Sequence, residues 1–421
     1  MQSLVRETHY TKEVTESPIY IVDSIMGAGK TSWAIQYMNE ADKDKNFLYI
    51  TPFLDEVQRI KENVVNRSFV TPEPNGINKT KFDDLKRHVL NERDIAATHA
   101  LFQKADDELV DLIKAGNYTL ILDEVMNVVE QYELNNDDFQ WLLDSKMVHV
   151  DEDTGLIHWN NEGKYQDTRY KDIKTLAESN NLYFFENKVL FWTFPISVFK
   201  AFKEVYIMTY LFQCQQQKYY YDLYNIDFAY KAVQKLPDGQ YKLINHYDKE
   251  PYDKSAIKAL INIYDGKLNN IGDAKNAFSV SWFRKEQNKH LIEKLKKNLI
   301  TYFKNNVKTP TNLNMWTCYK SYVSKLKGKG YTKGFVACNA RATNEFKEKE
   351  SLAYAANRFM DPYEKKFFTS KGVKVNEDMY ALSELLQWIW RSRIREGKPI
   401  NLYIPSKRMR TLLIEYLNTD L

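Results

Sequence analysis

The sequence contains no apolar run long enough to cross a bilayer as a helix, which takes about 18 or more consecutive apolar residues. Its first ten residues are polar and include both Arg6 and Glu7, so they lack the apolar core of a secretory signal peptide. These absences argue against a membrane protein and against export. We therefore expect a protein that works in the cytoplasm and has no membrane partner.

Cysteine is also scarce. Cys214, Cys318 and Cys338 are too far apart in the sequence for a zinc site or a disulfide framework. We expect them to be small buried residues in a reducing compartment. The 43% of hydrophobic and 28% of charged residues are typical of a globular protein, and the 421 residues suggest two or three domains of about 150 residues each.

Charge is distributed unevenly along the chain. Residues 1–230 carry 24 Lys and Arg against 37 Asp and Glu, whereas residues 231–421 carry 36 against 19. The net charges of the two parts are therefore −13 and +17. A part as basic as the second would attract a polyanion and release counterions on binding it. A solvated basic surface without a specific partner would give the same count, so both interpretations stay open.

Short apolar runs alternate with helical patterns in the first part of the chain. The runs at 19–22, 47–50 and 120–122 are apolar on both faces, as buried parallel strands are. Helices are predicted over 31–41 and 54–64. Strands that alternate with helices predict an α/β fold with a parallel sheet.

The second part of the chain repeats this alternation. A further strand of the first part is predicted at 205–208; in the second part, strands are predicted at 277–282, 335–337 and 402–404, and helices at 286–303 and 379–394. The turn signal Pro237-Asp238-Gly239 lies near the change of charge, so we expect one domain over 1–230 and a second over 231–421. Residues 135–190 are polar and weakly periodic, and we expect an irregular insertion there.

A glycine-rich segment lies between the first predicted strand and the first predicted helix, which is the setting that a Walker A phosphate loop requires. Gly27 and Gly29 let the backbone approach phosphate oxygens, and N–H groups at the start of the helix would bind the anion. Lys30 would contact the β- and γ-phosphates, and Thr31 would bind Mg²⁺. The predicted ATP-binding residues are Ser24, Gly27, Ala28, Gly29, Lys30 and Thr31.

Two carboxylates follow the predicted strand at 120–122, at the end where ligands bind in open α/β sheets. Asp123 would hold Mg²⁺, directly or through water, and Glu124 would polarise the attacking water. Three apolar residues followed by Asp-Glu are common on their own. The pattern becomes informative because a phosphate loop precedes it in the same predicted domain.

These two motifs resemble those of the DEAD/DEAH-like helicases of superfamily 2, in the divergent form found in many phage genomes. Helicase phosphate loops of this kind often have a small residue where Ser24 stands. The resemblance extends from about residue 19 to about residue 410. It implies two RecA-like P-loop lobes with parallel sheets, and ATP with Mg²⁺ in the cleft between them.

Other segments of the first part resemble motifs of that family that contact the nucleic-acid backbone. Thr51 and Pro52 correspond to motif Ia, and Thr98 belongs to the next motif of this kind, where the adjacent His99 could equally be a packed histidine. Residues 208–210, Met-Thr-Tyr, resemble motif III, which couples the state of ATP to strand binding. The usual Ser-Ala-Thr is absent there, which puts that role in doubt.

In the basic part, Ser281 and Trp282 fall in a segment that resembles motif IV. Residues 339–344 resemble motif V, whose polar groups face phosphates or the ATP cleft. The resemblance therefore implies nucleic-acid contacts from Arg341, Thr343 and Asn344. A capped helix start would explain the same polar residues without any ligand.

Residues 387–395 read Gln-Trp-Ile-Trp-Arg-Ser-Arg-Ile-Arg and resemble motif VI, which supplies arginine fingers to ATP on the opposite lobe. A finger raises the rate of phosphoryl transfer by about 10³-fold or more. The resemblance implies a finger among Arg391, Arg393 and Arg395, with Arg391 and Arg393 favoured. Trp390 replaces the family's glycine, and an isoleucine stands where its last arginine belongs. A charge cluster on a helix face would leave the same pattern.

Taken together, these motifs predict a nucleic-acid-dependent ATPase that translocates along or unwinds DNA. Its expected partners are single-stranded or forked DNA and phage replication or recombination proteins. A scaffold or loader that has a helicase fold and weak ATPase activity is an alternative, because motifs III and VI are altered. A phage packaging ATPase ranks lower, since the second part shows no clustered acidic residues of the kind that a nuclease needs.

Overall fold

The structure, a computed structural model, describes residues 18–74, 80–160, 168–248, 254–338 and 345–419. The first stretch of elements alternates strands and helices, as the apolar runs predict. It consists of β1 (Ile19–Asp23), α1 (Lys30–Glu40), β2 (Asn46–Thr51), α2 (Leu54–Asn63), α3 (Lys81–Leu90), β3 (Ile95–Thr98), α4 (His99–Phe102), α5 (Asp107–Ala115) and β4 (Tyr118–Asp123). Side chains stabilise some helix starts. Asp106, for example, accepts a hydrogen bond from the backbone N–H of Leu109 at the start of α5.

A second group of elements follows β4. It consists of β5 (Val129–Tyr132), α6 (Asn136–Asp144), β6 (Val148–Val150), β7 (Ile157–Trp159), α7 (Lys171–Glu178), β8 (Leu182–Phe185) and β9 (Val189–Thr193). Strands β5, β9 and β8 form an antiparallel sheet in that order, and β6 pairs with β7. This group has its own core, which includes Phe139, Leu142 and Trp159. The group lies between β4 and β10 of the first sheet and covers the insertion expected at 135–190, but its backbone is not irregular. Short strands among polar residues give little periodicity, yet they pair across the sheet.

The chain then returns to the first sheet. It forms α8 (Ile196–Ala201), β10 (Glu204–Thr209), α9 (Gln216–Leu223), β11 (Ala229–Lys235) and β12 (Tyr241–Asn245). The strand order is β12-β11-β1-β10-β4-β2-β3, and only β12 runs antiparallel to its neighbour. Every residue of β2 is buried, as in a sheet covered on both faces. The sheet reaches Asn245, beyond the division expected after Tyr230, because β11 pairs with β1 and β12 pairs with β11.

The remaining elements build a second sheet. They are α10 (Lys254–Ala259), β13 (Ile261–Ile263), α11 (Val280–Arg284), α12 (Lys289–Thr301), β14 (Asn314–Thr317), α13 (Val323–Leu326), β15 (Ser351–Tyr354), α14 (Pro362–Ser370), α15 (Glu377–Ile389), β16 (Ile400–Tyr403) and α16 (Lys407–Asn418). The sheet has the order β13-β16-β15-β14, and all its pairs are parallel. Two sheets of parallel strands confirm the predicted α/β fold with two lobes.

Two strand predictions in the second lobe are wrong. Residues 280–282 of the segment expected as a strand over 277–282 belong to the helix α11, whose start is capped by the Ser279 hydroxyl, which accepts from the Trp282 N–H. The segment at 335–337 makes only an isolated bridge between Phe335 and Trp316. Short apolar runs fit buried helical turns as well as strands, so periodicity alone does not separate them.

The two lobes share apolar contacts. Ile25 of the glycine-rich loop and Tyr210, which follows β10, pack in the core formed mainly by α15, α16 and the second sheet. In the opposite direction, Phe367 and Phe368 of α14 pack in the core of the first lobe. No helix in the described ranges is long and apolar enough to span a membrane.

Candidate nucleotide site

The glycine-rich loop joins the carboxyl end of β1 to α1, as predicted. Gly27 and Gly29 have φ angles of 89° and 94°, which side chains of L-residues rarely allow. Ser24, at the position where phosphate loops usually have glycine, accepts a hydrogen bond on its hydroxyl from the Val233 N–H at 3.0 Å. This bond fastens the loop to β11, which gives the serine a structural role that its position in the sequence does not reveal.

Lys30 is buried at the start of α1. Its ammonium group donates to the carbonyl oxygens of Ser24 at 2.6 Å and of Ile25 at 3.3 Å. Burial lowers the pKa of Lys30, and the nearby carboxylates of Glu124, Asp23 and Asp123 oppose that shift. The lysine is therefore held among carboxylates and inside its own loop, where it could turn to an anionic ligand.

Asp123 and Glu124 lie at the carboxyl end of β4. Asp123 accepts a hydrogen bond from the Tyr49 hydroxyl at 3.0 Å, and burial, with the charges of Glu124 and Glu56, raises its pKa to about 7. Glu124 adopts a left-handed backbone conformation, with φ of 64°, and its N–H donates to the carbonyl of Met208 at 3.0 Å. Two crowded carboxylates whose charge is opposed by burial fit a site that accepts a divalent cation.

A cavity of about 880 Å³ opens over these groups between the two lobes. The lining from the first lobe includes Gly27, Gly29, Lys30, Thr31, Thr51, Pro52, Asp123, Glu124, Gln215 and Tyr241. The lining from the second lobe includes Arg358, Glu384, Gln387, Trp390, Arg391 and Arg395. Most of the predicted phosphate, metal and finger residues therefore meet in one space of a size typical for small-molecule sites.

The three predicted finger arginines differ in their surroundings. Arg391 is 5% exposed, and its Nε and Nη1 atoms have no hydrogen-bond partner among the described residues. Burial lowers its pKa to about 10, although Glu384 and Glu124 lie near enough to oppose the shift. A buried guanidinium without partners is costly, so its presence beside the cavity indicates a ligand that would satisfy it.

The other two arginines divide between the cavity and the surface. Arg395 lines the cavity, and its charge acts on the pKa of Lys30. Arg393 does not line it. Its guanidinium instead pairs with Glu350 at 2.5 Å and donates to the carbonyl of Pro399 at 2.6 Å. The geometry thus favours Arg391 and Arg395 over Arg393 as residues that face a ligand.

The predicted nucleic-acid contacts are scattered. Thr51 and Pro52 line the cavity, and Thr98 is a half-buried residue at the end of β3. Ser281 is exposed, but the Trp282 ring is buried against Phe278 and Phe283 and offers no face for base stacking. The predicted contacts Arg341, Thr343 and Asn344 lie outside the described residues.

The segment that resembles motif III connects the cavity to the second lobe. The Thr209 hydroxyl donates to the side chain of Gln215 at 3.0 Å, and Gln215 lines the cavity. The hydroxyl groups of Tyr210 and Tyr416 are hydrogen-bonded to each other at 2.6 Å across the lobes. His99, beside Thr98, is a packed histidine whose Nε2 lies 3.1 Å from the carbonyl oxygen of Asp123.

Sequence reasoning missed several residues of the site. Tyr49 could have been detected, because its hydroxyl is a polar group in an otherwise apolar strand. Tyr241 had no local signal: it lies on the antiparallel strand β12, and its ring covers Gly29 so closely that a Cβ added to that glycine would lie 2.2 Å from the ring. Arg358 and Glu384 form an ion pair at 3.2 Å on the opposite wall, joining residues that are far apart in the sequence.

Two parallel-sheet lobes joined over a glycine-rich loop define a protein with two RecA-like lobes and a helicase-like fold. A solved structure described as XPD_APO has this fold, with a TM-score of 0.52 and 12% identity over 96% of this chain and 95% of that chain. A second solved structure, of S. tokodaii Xpd4, gives a TM-score of 0.46 at 12% identity over 95% of this chain and 94% of that chain. Only the first similarity is close enough to indicate a shared fold.

The chain belongs to the YonV family. It is 46% identical over 413 residues to the SPbeta prophage-derived uncharacterized protein YonV of Bacillus subtilis (strain 168), and the match covers 96% of this chain and 99% of that protein. The family model described as the YonV C-terminal Rossmann-like domain matches residues 255–417, and the YonV middle domain matches residues 129–192. The second match coincides with the group of elements from β5 to β9.

Proposed function

We propose that the protein is a nucleic-acid-dependent ATPase that translocates along DNA or unwinds it, as a divergent phage-type member of superfamily 2. One observation carries the proposal. Arg391, a buried arginine with unsatisfied donors, lines the same cavity as Lys30 and the Asp123-Glu124 pair, and it comes from the opposite lobe. An arginine placed in this way would stabilise negative charge on a transferring γ-phosphoryl group when the lobes close.

The remaining residues have consistent roles. Backbone N–H groups from Gly27 to Thr31 would hold the phosphates of ATP, and Lys30 would exchange its carbonyl partners for phosphate oxygens. The Thr31 hydroxyl and Asp123 would hold Mg²⁺, and a bound divalent cation supplies charge neutralisation at the phosphates. Glu124 would orient the attacking water. Its left-handed backbone fixes the direction of its side chain at the end of β4.

Nucleic acid is the partner that the charge favours. The net charge of +17 over residues 231–421 would bind a phosphate backbone without reading base sequence. Pro52, which is half-buried, would contact the strand from the first lobe, whereas the predicted contact Thr51 is fully buried beside it. The prophage-derived relative in a bacterium supports a phage origin. We further propose action on phage DNA in the host cytoplasm, together with replication or recombination proteins.

The test is ATP hydrolysis with and without single-stranded DNA or RNA, using Lys30→Ala as the inactive control. We expect strong stimulation by the strand and its loss in the variant. Strand-displacement assays with both polarities would then separate translocation from unwinding. Absence of ATP turnover in the presence of measurable ATP binding would contradict the proposal that the protein is a motor.

A second function, a scaffold or loader with weak ATPase activity, is favoured by one specific feature. The hydrogen bond between Tyr210 and Tyr416 ties the lobes together beside a motif III that lacks its usual residues. Lobes fixed in this way would bind ATP and a strand without cycling. This alternative predicts ATP binding that changes strand affinity but no strand-stimulated hydrolysis.

A further inference from the structure

One stretch of the second lobe has an extreme charge composition. Residues 294–338 contain no Asp or Glu. They contain ten lysines: Lys294, Lys296, Lys297, Lys304, Lys308, Lys320, Lys325, Lys327, Lys329 and Lys333. The stretch runs from α12 through β14 to the segment that follows α13, and all of it lies in the described residues.

The fold brings two parts of this stretch together. The loop at 327–333 packs on the end of α12 and the turn after it: the ring of Tyr331 stacks on that of Phe303 with centroids 4.9 Å apart. A Cβ added to Gly330 would lie 3.8 Å from Cγ of Lys304. The side chain of Asn314, at the start of β14, donates to the carbonyl of Gly330 at 2.8 Å. The loop is therefore fixed against Lys304.

Four lysines of these two parts form what we call the lysine surface: Lys304, Lys327, Lys329 and Lys333. All four are exposed. Within the described ranges, none of them has a carboxylate oxygen within 4.0 Å. Some exposed lysines elsewhere in the second lobe, such as Lys289 and Lys398, pair with carboxylates, whereas others in the described part of the chain, such as Lys374, do not. Unrelieved repulsion among neighbouring ammonium groups is unfavourable unless a polyanion binds them.

The lysine surface lies away from the cleft between the lobes. It is placed at the amino end of β14, whereas cavity residues such as Arg358 follow the carboxyl end of β15, which runs parallel to β14. In addition, α12 covers the face of the sheet that carries Trp316 and Tyr403, and the opposite face packs with Ile25 of the first lobe. A ligand on the lysine surface would be a different contact from a strand held at the cleft.

We propose that the lysine surface binds the phosphate backbone of duplex nucleic acid, separately from the strand on which the motor acts. The proposal rests on the proposed function only in taking nucleic acid as the partner. No aromatic side chain of the stretch is fully exposed: Tyr302, Phe303, Trp316 and Tyr331 are buried, and Tyr319, Tyr322 and Phe335 are half-buried. Binding without stacking depends on phosphate charge density, which is higher along a duplex than along a single strand.

The experiment compares two variants of the full chain that lose the same charge. The first replaces Lys304, Lys327, Lys329 and Lys333 by Gln. The control replaces by Gln four exposed lysines outside the stretch: Lys61, Lys146, Lys188 and Lys374. Affinity for a blunt duplex and for a single strand is measured over a range of salt concentrations, and thermal unfolding checks that both variants are folded.

We expect the lysine-surface variant to bind the duplex more weakly and with a flatter salt dependence. The slope of log K against log salt is negative, and removing one lysine–phosphate pairing reduces its magnitude by about 0.9 on B-DNA. Removing four would therefore reduce the magnitude by up to about 3.6. Single-strand affinity and basal ATP turnover would change much less. The control variant would keep the wild-type duplex slope.

Two results would overturn the proposal. One is an equal salt dependence of duplex affinity in both variants. The other is no duplex binding by the wild type, which would leave an acidic protein as the partner of the lysine surface. Failure of the proposed function looks different. In that case single strands would not stimulate ATP turnover in the wild type, while the duplex slope would still fall only in the lysine-surface variant.

Discussion

At the residue scale, the three arginines of the segment at 387–395 show most clearly that residues of one motif can have different surroundings. The resemblance to motif VI favours Arg391, which matches the motif in register, together with Arg393, which is shifted from it. Their environments differ completely, because Arg391 has unsatisfied donors at the cavity and Arg393 is satisfied by Glu350 and the Pro399 carbonyl. An arginine in the motif segment is thus not sufficient for a finger, since its donors must also lack partners within the protein.

Arg391→Ala should therefore lower the turnover of ATP by about 10³-fold and leave ATP affinity nearly unchanged, because a finger acts mainly on the transition state. Arg393→Ala is the matched control. It removes a partly exposed ion pair worth about 1 kcal/mol or less, and we expect turnover close to wild type. Single-turnover hydrolysis and nucleotide titration measure the two effects. Comparable losses in both variants would show that Arg391 has no special role.

At this scale, contacts between residues that are far apart in the sequence could not be predicted. The position of Lys30, Thr31, Asp123 and Glu124 at one cavity was predictable, because each belongs to a short motif with a known setting, while their roles stay predictions. The bond from Val233 to the Ser24 hydroxyl was not, since it joins residues 209 positions apart. Local patterns specify which groups a motif supplies, and the sheet order decides what lies opposite them.

At the scale of elements, the glycine-rich loop is shaped by β12 as well as by its own residues. Both glycines need positive φ angles, but only Gly29 is also covered by a side chain, the ring of Tyr241. Gly27→Ala should cost about 1 to 2 kcal/mol of local backbone strain, because nothing lies within 4 Å of its added Cβ. Gly29→Ala adds a clash to the same strain and should weaken ATP binding further.

The double variant Gly29→Ala with Tyr241→Ala separates the two causes. Removing the ring relieves the clash but not the strained φ, so thermal stability should return to the level of Gly27→Ala. Differential scanning calorimetry of the wild type and the three variants measures this. If the double variant were no more stable than Gly29→Ala alone, crowding by Tyr241 would not be the reason for the glycine.

Helix α14 carries a pH-sensitive contact between the lobes. Its Glu364 accepts a hydrogen bond from Gln216 of α9 at 3.3 Å. Burial, followed by the charges of Asp361 and Glu130, raises the pKa of Glu364 to about 7, and Arg358 opposes the shift. Because the folded-state pKa lies above the unfolded value, the neutral form favours the fold. This contribution is complete below about pH 4.5 and is lost as the pH rises through 7.

Glu364→Gln should remove this dependence. Between pH 5 and pH 8 the wild type would lose on the order of 1 kcal/mol of stability from this group, after allowance for partial exposure, and the variant would not. Urea unfolding at the two pH values measures the difference. Glu133→Gln, at an exposed glutamate, serves as the control, and an equal flattening of the pH dependence in both variants would exclude Glu364 as the cause.

Elements were predictable where apolar runs were long or bounded by motifs. Strands β1, β2, β4, β10 and β16 match their predicted runs closely. The antiparallel pairs β5 to β9 were missed, because each strand is short and is stabilised by a partner that local periodicity does not show. The packing of α14 on the first lobe was also undetectable, since its apolar residues Phe367 and Phe368 fit any core.

At the scale of the whole molecule, charge and packing divide the chain differently. The sequence predicts an acidic part and a basic part, and the division after Tyr230 follows charge. The structure continues the first sheet to Asn245 and returns to the first-lobe core with Phe367 and Phe368. Charge marks the part of the chain that we propose meets a polyanion, whereas long-range packing decides which residues fold together.

This shared packing predicts that the two lobes unfold together. Phe368 is fully buried, with its ring 5.8 Å from that of Tyr219 in the first lobe. Phe368→Ala should cost about 3 to 5 kcal/mol and weaken the coupling, so that one calorimetric transition separates into two. The control Phe303→Ala removes an equally large side chain from within the second lobe, where it stacks on Tyr331. It should lower the temperature of unfolding while a single transition remains.

A single transition in both variants would mean that α14 is not what couples the lobes, and the hydrogen bond between Tyr210 and Tyr416 would then be the contact to remove.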